Sequence, residues 1–358
     1  MKEFGQPPFP DERKISLKAK VKFYFLKFLR LTDRPVVKVY RGFGNDEHLK
    51  VYGHVFRRSA LPRRKYRDID FVNLLAVIRL FLVRPYAKAL VRVRYGEQVM
   101  EVLADNDGCF QVELPLASSL SPGWHRVLVQ LISQTLTPEA VLAEGEGHVL
   151  IPHPTRYMCI SDIDDTFLVS HSATITKRLL VLLTENAHSR MPFDGVVAHY
   201  KMLAEADNGL HVSNPFFYVS SSEWNLYDYI LEFSQKNGLP DGVYRLSKLK
   251  RLSQVLKTGK GKHHTKFDRI VQIIDTYPTR QFILLGDDSQ EDPIIYESIV
   301  RQYSQQIRCV YIRQIHIEHK VRTQSLMAQI EEQGVASCYF VHSADARKHS
   351  IAIGLVGR

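Results

Sequence analysis

The sequence predicts an α/β, Rossmann-like domain with a parallel sheet over residues 153–358, preceded by a β-sandwich over 36–152 and a basic amphipathic helix in 1–35. Three observations predict it. Past Pro152 and Pro154, near-continuous apolar runs alternate with helix-patterned segments, the texture of strands buried on both faces. Between Val36 and Ile151 the pattern instead becomes short apolar–polar alternations broken by turn residues, as in antiparallel strands with one wet face. Before that, residues 13–34 hold eight basic residues and one acid, interleaved with aromatics.

Taken in order, the segment 13–34 places Leu17, Val21, Tyr24, Phe25, Phe28 and Leu31 on one helical face, with lysines mostly opposite. Two readings stand: a helix lying on anionic lipid, or a helix packed on its own protein with a solvated basic rim. The runs VVKVYRGF, HLKVYGHVFR, ALVRVRYGEQVMEVLADNDGCFQVELPL, WHRVLVQLI and GEGHVLIP follow as strands, with turns at Tyr95-Gly96-Glu97 and Asn106-Asp107-Gly108. Residues 58–82 carry a helix-like apolar patch. No catalytic cluster is visible in this half, which reads as a structural or targeting module.

In the second half the order is strand RYMCISD, helices ITKRLLVLLTENA and VVAHYKMLAEA, strand PFFYVSSS, helix WNLYDYILEFSQKNG, strand VYRL, helix KFDRIVQIIDTYP, strand QFILLGDD, helix PIIYESIVRQYS and strand RCVYIR. Trp224 reads as core packing at a helix start. There is no internal repeat.

Composition narrows the partners. The chain has 358 residues, 45% of them hydrophobic, and a formal net charge of +10, which favours an anionic partner: nucleic acid, an acidic membrane or a phosphorylated substrate. The four cysteines form no CxxC and suit neither zinc nor a disulfide framework, so reduced thiols in a cytosol are expected. The N-terminus lacks a signal-peptide core and no window is long and apolar enough for a membrane span, so any membrane contact is expected to be peripheral.

Chemistry concentrates at three strand ends: Ser161-Asp162-Ile163-Asp164, Ser220-Ser221-Ser222 and Gly286-Asp287-Asp288. Ligands of open parallel sheets bind at the carboxyl ends of the strands, so three polar ends point to one site. Asp162 and Asp164 lie two apart, so strand geometry projects both to one side while Ile163 turns inward. One carboxylate of such a pair attacks while the other handles a proton. Their repulsion is relieved by a cation, and Asp287 completes a hard, magnesium-like oxygen site. Phosphoryl transfer also needs a hydroxyl donor, supplied by Ser220, and a fixed cation, for which Lys266 at the start of KFDRIVQII is the candidate. Residues 242–267 hold eight Lys or Arg and no acid, so Lys266 also reads as one of a solvated set. An aspartate after a strand is often only a helix cap, but capping needs one carboxylate, not a pair with distant partners. His263-His264 has no second ligand pair at zinc spacing.

Asp162-Ile163-Asp164-Asp165-Thr166, Ser220, Lys266 and Gly286-Asp287-x4-Asp292 resemble, in order, the four motifs of the haloacid-dehalogenase superfamily. The wording SDIDDT, FYVSSSEWNLYDYI, ILLGDDSQEDPIIY and VYIRQ is similar to the actin-patch-associated phosphatidate phosphatase family, bacterial branch, whose catalytic domain is related to the lipins. YRGFG and DNDGCFQVELP extend the resemblance upstream. It implies a magnesium-dependent phosphatase acting on phosphatidate or a related lipid phosphate. Asp162 would be the nucleophile, Asp164 the acid and base, and Asp162, Asp164 and Asp287 the Mg2+ ligands. Ser220, Ser221 and Lys266 would bind the phosphoryl group, with Thr166 and Asp292 supporting. It further implies an anionic membrane surface as peripheral partner, no nucleic acid, and a cytoplasmic location at the inner face of the membrane.

Departures from that pattern are His264-Thr265-Lys266 where the family reads His-Lys, which leaves Lys262 as a rival to Lys266. Glu223 stands in place of a proline, and Asp288-Ser289 in place of Ser-Gly. The stretch from Thr166 to Ser220 is too short for a large inserted cap, so an open site is expected. The alternatives are a phosphatase of soluble or protein-borne phosphate and a non-catalytic lipid-sensing module.

Overall fold

The computed structural model describes residues 31–32, 34–60, 82–135, 140–163, 195–206, 212–248 and 263–356. The expected helices over most of 13–34 and over ITKRLLVLLTENA, residues 61–81 of the helix-like patch 58–82, and Asp164, Asp165, Thr166 and Lys262 lie outside them, while Arg58, Ser59 and Ala60 of that patch belong to a strand. Leu31, assigned by pattern to the basic helix, instead opens a two-residue strand, β1 (Leu31–Thr32), that pairs with Ser59 and Ala60. Strand pairing thus overrides helical periodicity at that end.

The first half builds β2 (Val36–Gly44), β3 (His48–Ala60), β4 (Arg84–Pro85), β5 (Leu90–Tyr95), β6 (Gln98–Leu103), β7 (Cys109–Pro115), β8 (Gly123–Ile132) and β9 (Val141–Ile151). Burial alternates along β7, as its apolar–polar pattern dictates, and Tyr95 pairs with Gln98 across the Gly96-Glu97 turn. The hydrogen-bonded order is β1-β3-β2-β9-β8-β5-β6, with β4 and β7 also on β3. Where the alternation suggested two stacked antiparallel sheets, the strands form one continuous path, made mixed by the parallel pairing of Gly42 and Phe43 with Val149 and Leu150. That junction needs close backbones: a Cβ on Gly147 would lie 2.2 Å from Val39 Cγ1. The inward residues of these strands, among them Val51, Val93, Val112, Val129 and Val149, share one core.

The second half is a six-stranded, all-parallel sheet of β10 (Tyr157–Ser161), β11 (Phe216–Glu223), β12 (Gly242–Ser247), β13 (Gln281–Asp287), β14 (Ile307–Arg313) and β15 (Ala336–Phe340). Its order is β12-β11-β10-β13-β14-β15. Counted from β10 this is 3-2-1-4-5-6, which puts a topological switch point between β10 and β13. Helices α1 (Val196–Ala204), α2 (Tyr227–Lys236), α3 (His263–Thr276), α4 (Asp292–Tyr303), α5 (Lys320–Glu332) and α6 (Ser343–Ala352) surround it. α4 packs between α3 and α5, while α6 packs on α1. The uncharged strand β10 is buried at every position, as a central parallel strand covered on both faces must be.

Tyr40, Phe43 and Tyr52 of β2 and β3 leave the first core and join the second. Tyr40 stacks on Trp224 at 4.0 Å, Phe43 meets Phe217 edge-on, and the Arg245 guanidinium lies 3.6 Å over the Tyr52 ring. The YRGFG segment is therefore the seam between the two sheets.

Candidate active site

Asp162 follows β10 directly. Its backbone N–H donates to Leu285 O at 2.8 Å, carrying the ladder one residue past the strand, and Ile163 turns into the core. Asp287 ends β13, the neighbouring strand across the switch point. Lys266 is the fourth residue of α3, and Asp292 is the first of α4. These four residues, distant in sequence, converge. The carboxylates of Asp162, Asp287 and Asp292 offer oxygens that all lie within 4.8 Å of one another. Lys266 Nζ donates to Asp162 Oδ1 at 2.6 Å and to Asp292 Oδ1.

All four side chains are buried. Burial by itself would depress the Lys266 ammonium, but the charges of Asp162 and Asp292, with their hydrogen bonds, outweigh it and hold the group above the usual lysine range. Within this group of four, one ammonium stands among three buried carboxylates. Buried charge is costly unless compensated, so the hard oxygen set suits a divalent cation such as Mg2+. Gly286 makes the convergence possible: a Cβ there would stand 2.7 Å from Asp292 Oδ2 and 2.9 Å from Tyr296 Cε2.

Ser220 is buried two residues beyond Tyr218, the register partner of Ser161, so it reaches the same sheet edge as Asp162. The β11–β12 register shifts between Val219 and Glu223, and within that bulge Ser220 Oγ accepts the Ser222 N–H at 2.8 Å. Ser221 O accepts Ser247 Oγ at 2.7 Å, tying the bulge to β12. Glu223, which stands in place of a proline, is buried at the end of β11.

The sequence motif implies only a supporting position for Asp292; the structure sets its carboxylate inside the cluster. It also gives partners to groups for which the sequence offered no role. Arg313, the register partner of Asp287, donates to Val341 O at 3.0 Å and to Ser343 Oγ at 2.6 Å. Ser161 Oγ and Tyr200 OH lie 2.8 Å apart beneath Asp162. Asp288 accepts the N–H groups of Ile315 at 2.6 Å and His316 at 3.0 Å, and the Tyr339 hydroxyl at 2.6 Å. An arginine inside the apolar run RCVYIR was the one available signal for Arg313; Asp288 carried none beyond its position.

The architecture and this buried carboxylate–lysine cluster define an α/β domain built like an enzyme centre, and a family model and a curated relative, both of phosphatases, are similar to it. Residues 157–314 match the model of the family described as phosphatidate phosphatase APP1, catalytic domain. Phosphatidate phosphatase APP1 of Saccharomyces cerevisiae is 27% identical over 156 residues, 43% of this chain and 25% of that protein, so the chain spans about a quarter of its curated relative. Among solved structures, a carbohydrate acetylesterase from Xanthomonas citri aligns over 89% of this chain and 74% of its own at 9% identity and a TM-score of 0.34. The PilB minor pilin from Streptococcus sanguinis aligns over 75% and 87% at 12% identity and a TM-score of 0.29. Both TM-scores are too low for either likeness to bear on fold or function.

Proposed function

We propose that residues 153–358 form a magnesium-dependent phosphatase domain of the haloacid-dehalogenase type that hydrolyses a lipid phosphate monoester, with phosphatidate as the first candidate, and that 36–152 form a scaffold domain. The observation that carries this reading is the buried Asp162–Lys266–Asp292 pairing beside Asp287 at the switch point, in a segment matching the APP1 catalytic domain.

Asp162 attacks phosphorus through a carboxylate oxygen, forming an aspartyl-phosphate as the ester oxygen leaves with its electron pair. Asp164 gives that oxygen a proton, then takes one from the water that releases inorganic phosphate. Lys266, already hydrogen-bonded to Asp162 Oδ1, orients the nucleophile and balances charge on the transferring group. Asp292 holds Lys266 from the other side. Ser220, fixed in the β11 bulge, presents its hydroxyl to the phosphoryl oxygens. Asp162 and Asp287, with the Asp164 backbone carbonyl, would hold Mg2+, which supplies charge neutralisation for the phosphoryl group and relief of the carboxylate repulsion.

The test is phosphate release from a panel of lipid and soluble phosphomonoesters with and without magnesium, comparing wild type with Asp162→Asn. Release is expected from the lipid substrates, only with magnesium, and to fall by at least roughly a thousandfold in the variant. Release unaffected by the substitution would remove the mechanism; activity confined to soluble esters would remove the lipid assignment alone.

A further inference from the structure

The seam between the two sheets opens, where β3 and β7 face α3, into a cleft of about 730 Å³. That volume falls in the range of about 300–1,000 Å³ that small-molecule sites occupy. Its walls are separate from the carboxylate cluster: Lys50 comes from β3, Gln111 and Glu113 from β7, Asp268 and Gln272 from α3, and Arg245 from β12. On α3 the residues Asp268, Gln272 and Asp275 recur at helical spacing and share the face turned to the cleft. Ile270, Ile273 and Ile274 of the same helix are buried in the core, and Lys266 reaches the cluster.

Arg245 is 6% exposed, in the strand GVYRLS. Its guanidinium lies over the Tyr52 ring and 5.9 Å from the Phe43 ring, and Nη2 donates to Gln272 Oε1 at 2.7 Å. Among the described residues that is its one hydrogen bond: Nε has no partner, and no carboxylate pairs with the group. Aromatic faces and one amide oxygen compensate a buried cation only in part. An arginine that served only to join the two sheets would work as well beneath closed packing; this one lines an open cleft.

The cleft as a whole is not a cationic patch. Lys50 pairs with Glu113 at 2.8 Å, and Arg245 and Arg269 face the acids Glu47, Asp268 and Asp275. A ligand with negative charge throughout would be repelled by those walls, and one with positive charge throughout would meet the buried guanidinium. A molecule with one charge of each sign satisfies both.

We infer that this cleft is a second ligand site, taking a small zwitterion whose phosphate or carboxylate meets the Arg245 guanidinium and whose primary ammonium meets the acidic face of α3. A guanidinium presents parallel N–H groups that match either oxoanion, which a point charge does not. The site lies outside the proposed chemistry and stands whether or not the phosphatase reading does.

The test is calorimetric titration of the full chain, without magnesium, with O-phosphoethanolamine and with β-alanine, and with inorganic phosphate and ethanolamine as the separated charges. At least one zwitterion is expected to bind, and inorganic phosphate or ethanolamine alone at least about tenfold more weakly. Gln111→Trp fills the cleft from an exposed position of β7 and is expected to weaken zwitterion binding at least about tenfold with the melting temperature unchanged. Arg245→Lys keeps the charge but not the fork, and is expected to weaken it by a similar factor. Because Arg245 is buried, its variant is read beside a thermal melt, and Gln111→Trp decides the matter if the melt shifts. Absence of binding by both zwitterions, inorganic phosphate binding as tightly as they do, or affinity unchanged in Gln111→Trp would each overturn the inference. Binding lost in Ser220→Ala yet kept in Gln111→Trp would overturn it too, by placing the probe at the carboxylate cluster.

Discussion

Lys266 Nζ and Asp162 Oδ1 lie 2.6 Å apart, both buried, although 104 residues separate them in the chain. The bond joins the fourth residue of α3 to the end of β10 and, with Asp292 on its far side, makes the lysine the common counterion of two carboxylates. Removing it is expected to do two separable things. Lys266→Met should lower phosphate release at least roughly a hundredfold, and it should destabilise the metal-free protein by about 3–5 kcal/mol, because two buried carboxylates lose their partner. Denaturant titration and initial-rate assays check the two arms independently.

The clustering of three buried carboxylates makes a prediction about metal. Magnesium chloride is expected to raise the melting temperature, and saturation at a hundredfold over Kd corresponds to about 2.7 kcal/mol. Asp287→Asn should abolish the rise. A calorimetric melt that magnesium leaves unmoved in the wild type would show that the cluster does not take the ion.

Gly286→Ala tests the close approach of β13 and α4. The added methyl meets Asp292 Oδ2 at 2.7 Å and the Tyr296 ring at 2.9 Å, neither of which has room to retreat within the core. A stability loss of about 1–3 kcal/mol is expected. Activity should fall further than stability alone accounts for, because Asp292 is pushed off Lys266; equal kcat in the variant and wild type would separate Asp292 placement from catalysis.

The seam between the sheets is testable by a double-mutant cycle. Tyr40 stacks on Trp224, the residue that follows β11, with rings 19° from parallel. Tyr40→Ala and Trp224→Ala are each expected to cost about 3–5 kcal/mol. Their coupling should be about 0.5–1.5 kcal/mol, read from chemical denaturation of the two single variants and the double.

Acid sensitivity has a source outside the site. Burial, the leading cause, pushes His54 down to about 4 and His199 down to about 3, from 6.5 for the free side chain. In the window below pH 6.5 the unfolded chain binds protons that the folded chain refuses, so stability falls as pH falls, by up to about 1.4 kcal/mol per pH unit for each histidine. His54 stacks on Phe56, and His54→Phe is expected to reduce the slope of stability between pH 6.5 and 5 by one histidine's share. An unaltered slope would mean that His54 is charged in the folded protein.

Much of the site was legible in the sequence because a polar residue that closes an apolar run marks the point where a buried strand reaches the edge of its sheet. Asp162, Ser220 and Asp287 each follow such a run, and all three stand at the carboxyl edge. Most of the described strands and helices from Val36 to Arg313 were similarly visible, since period and burial go together, though the two-residue β4 was not; beyond Arg313, where α5 has exposed apolar positions and β15 is only partly buried, the pattern is weak.

The chain by itself determined most of the buried strands, where their carboxylates and hydroxyls sit, and that the balance of charge is basic, all consequences of local periodicity and composition. Only the tertiary structure decided that β10 and β13 are neighbours, that Asp292 shares Lys266 with Asp162, that β2 joins β3 to β9 in one mixed path, and that Asp288 accepts the backbone of Ile315 and His316. Those are long-range pairings, chosen by which packing buries the most surface while leaving each buried charge a partner, and no window of adjacent residues carries that information.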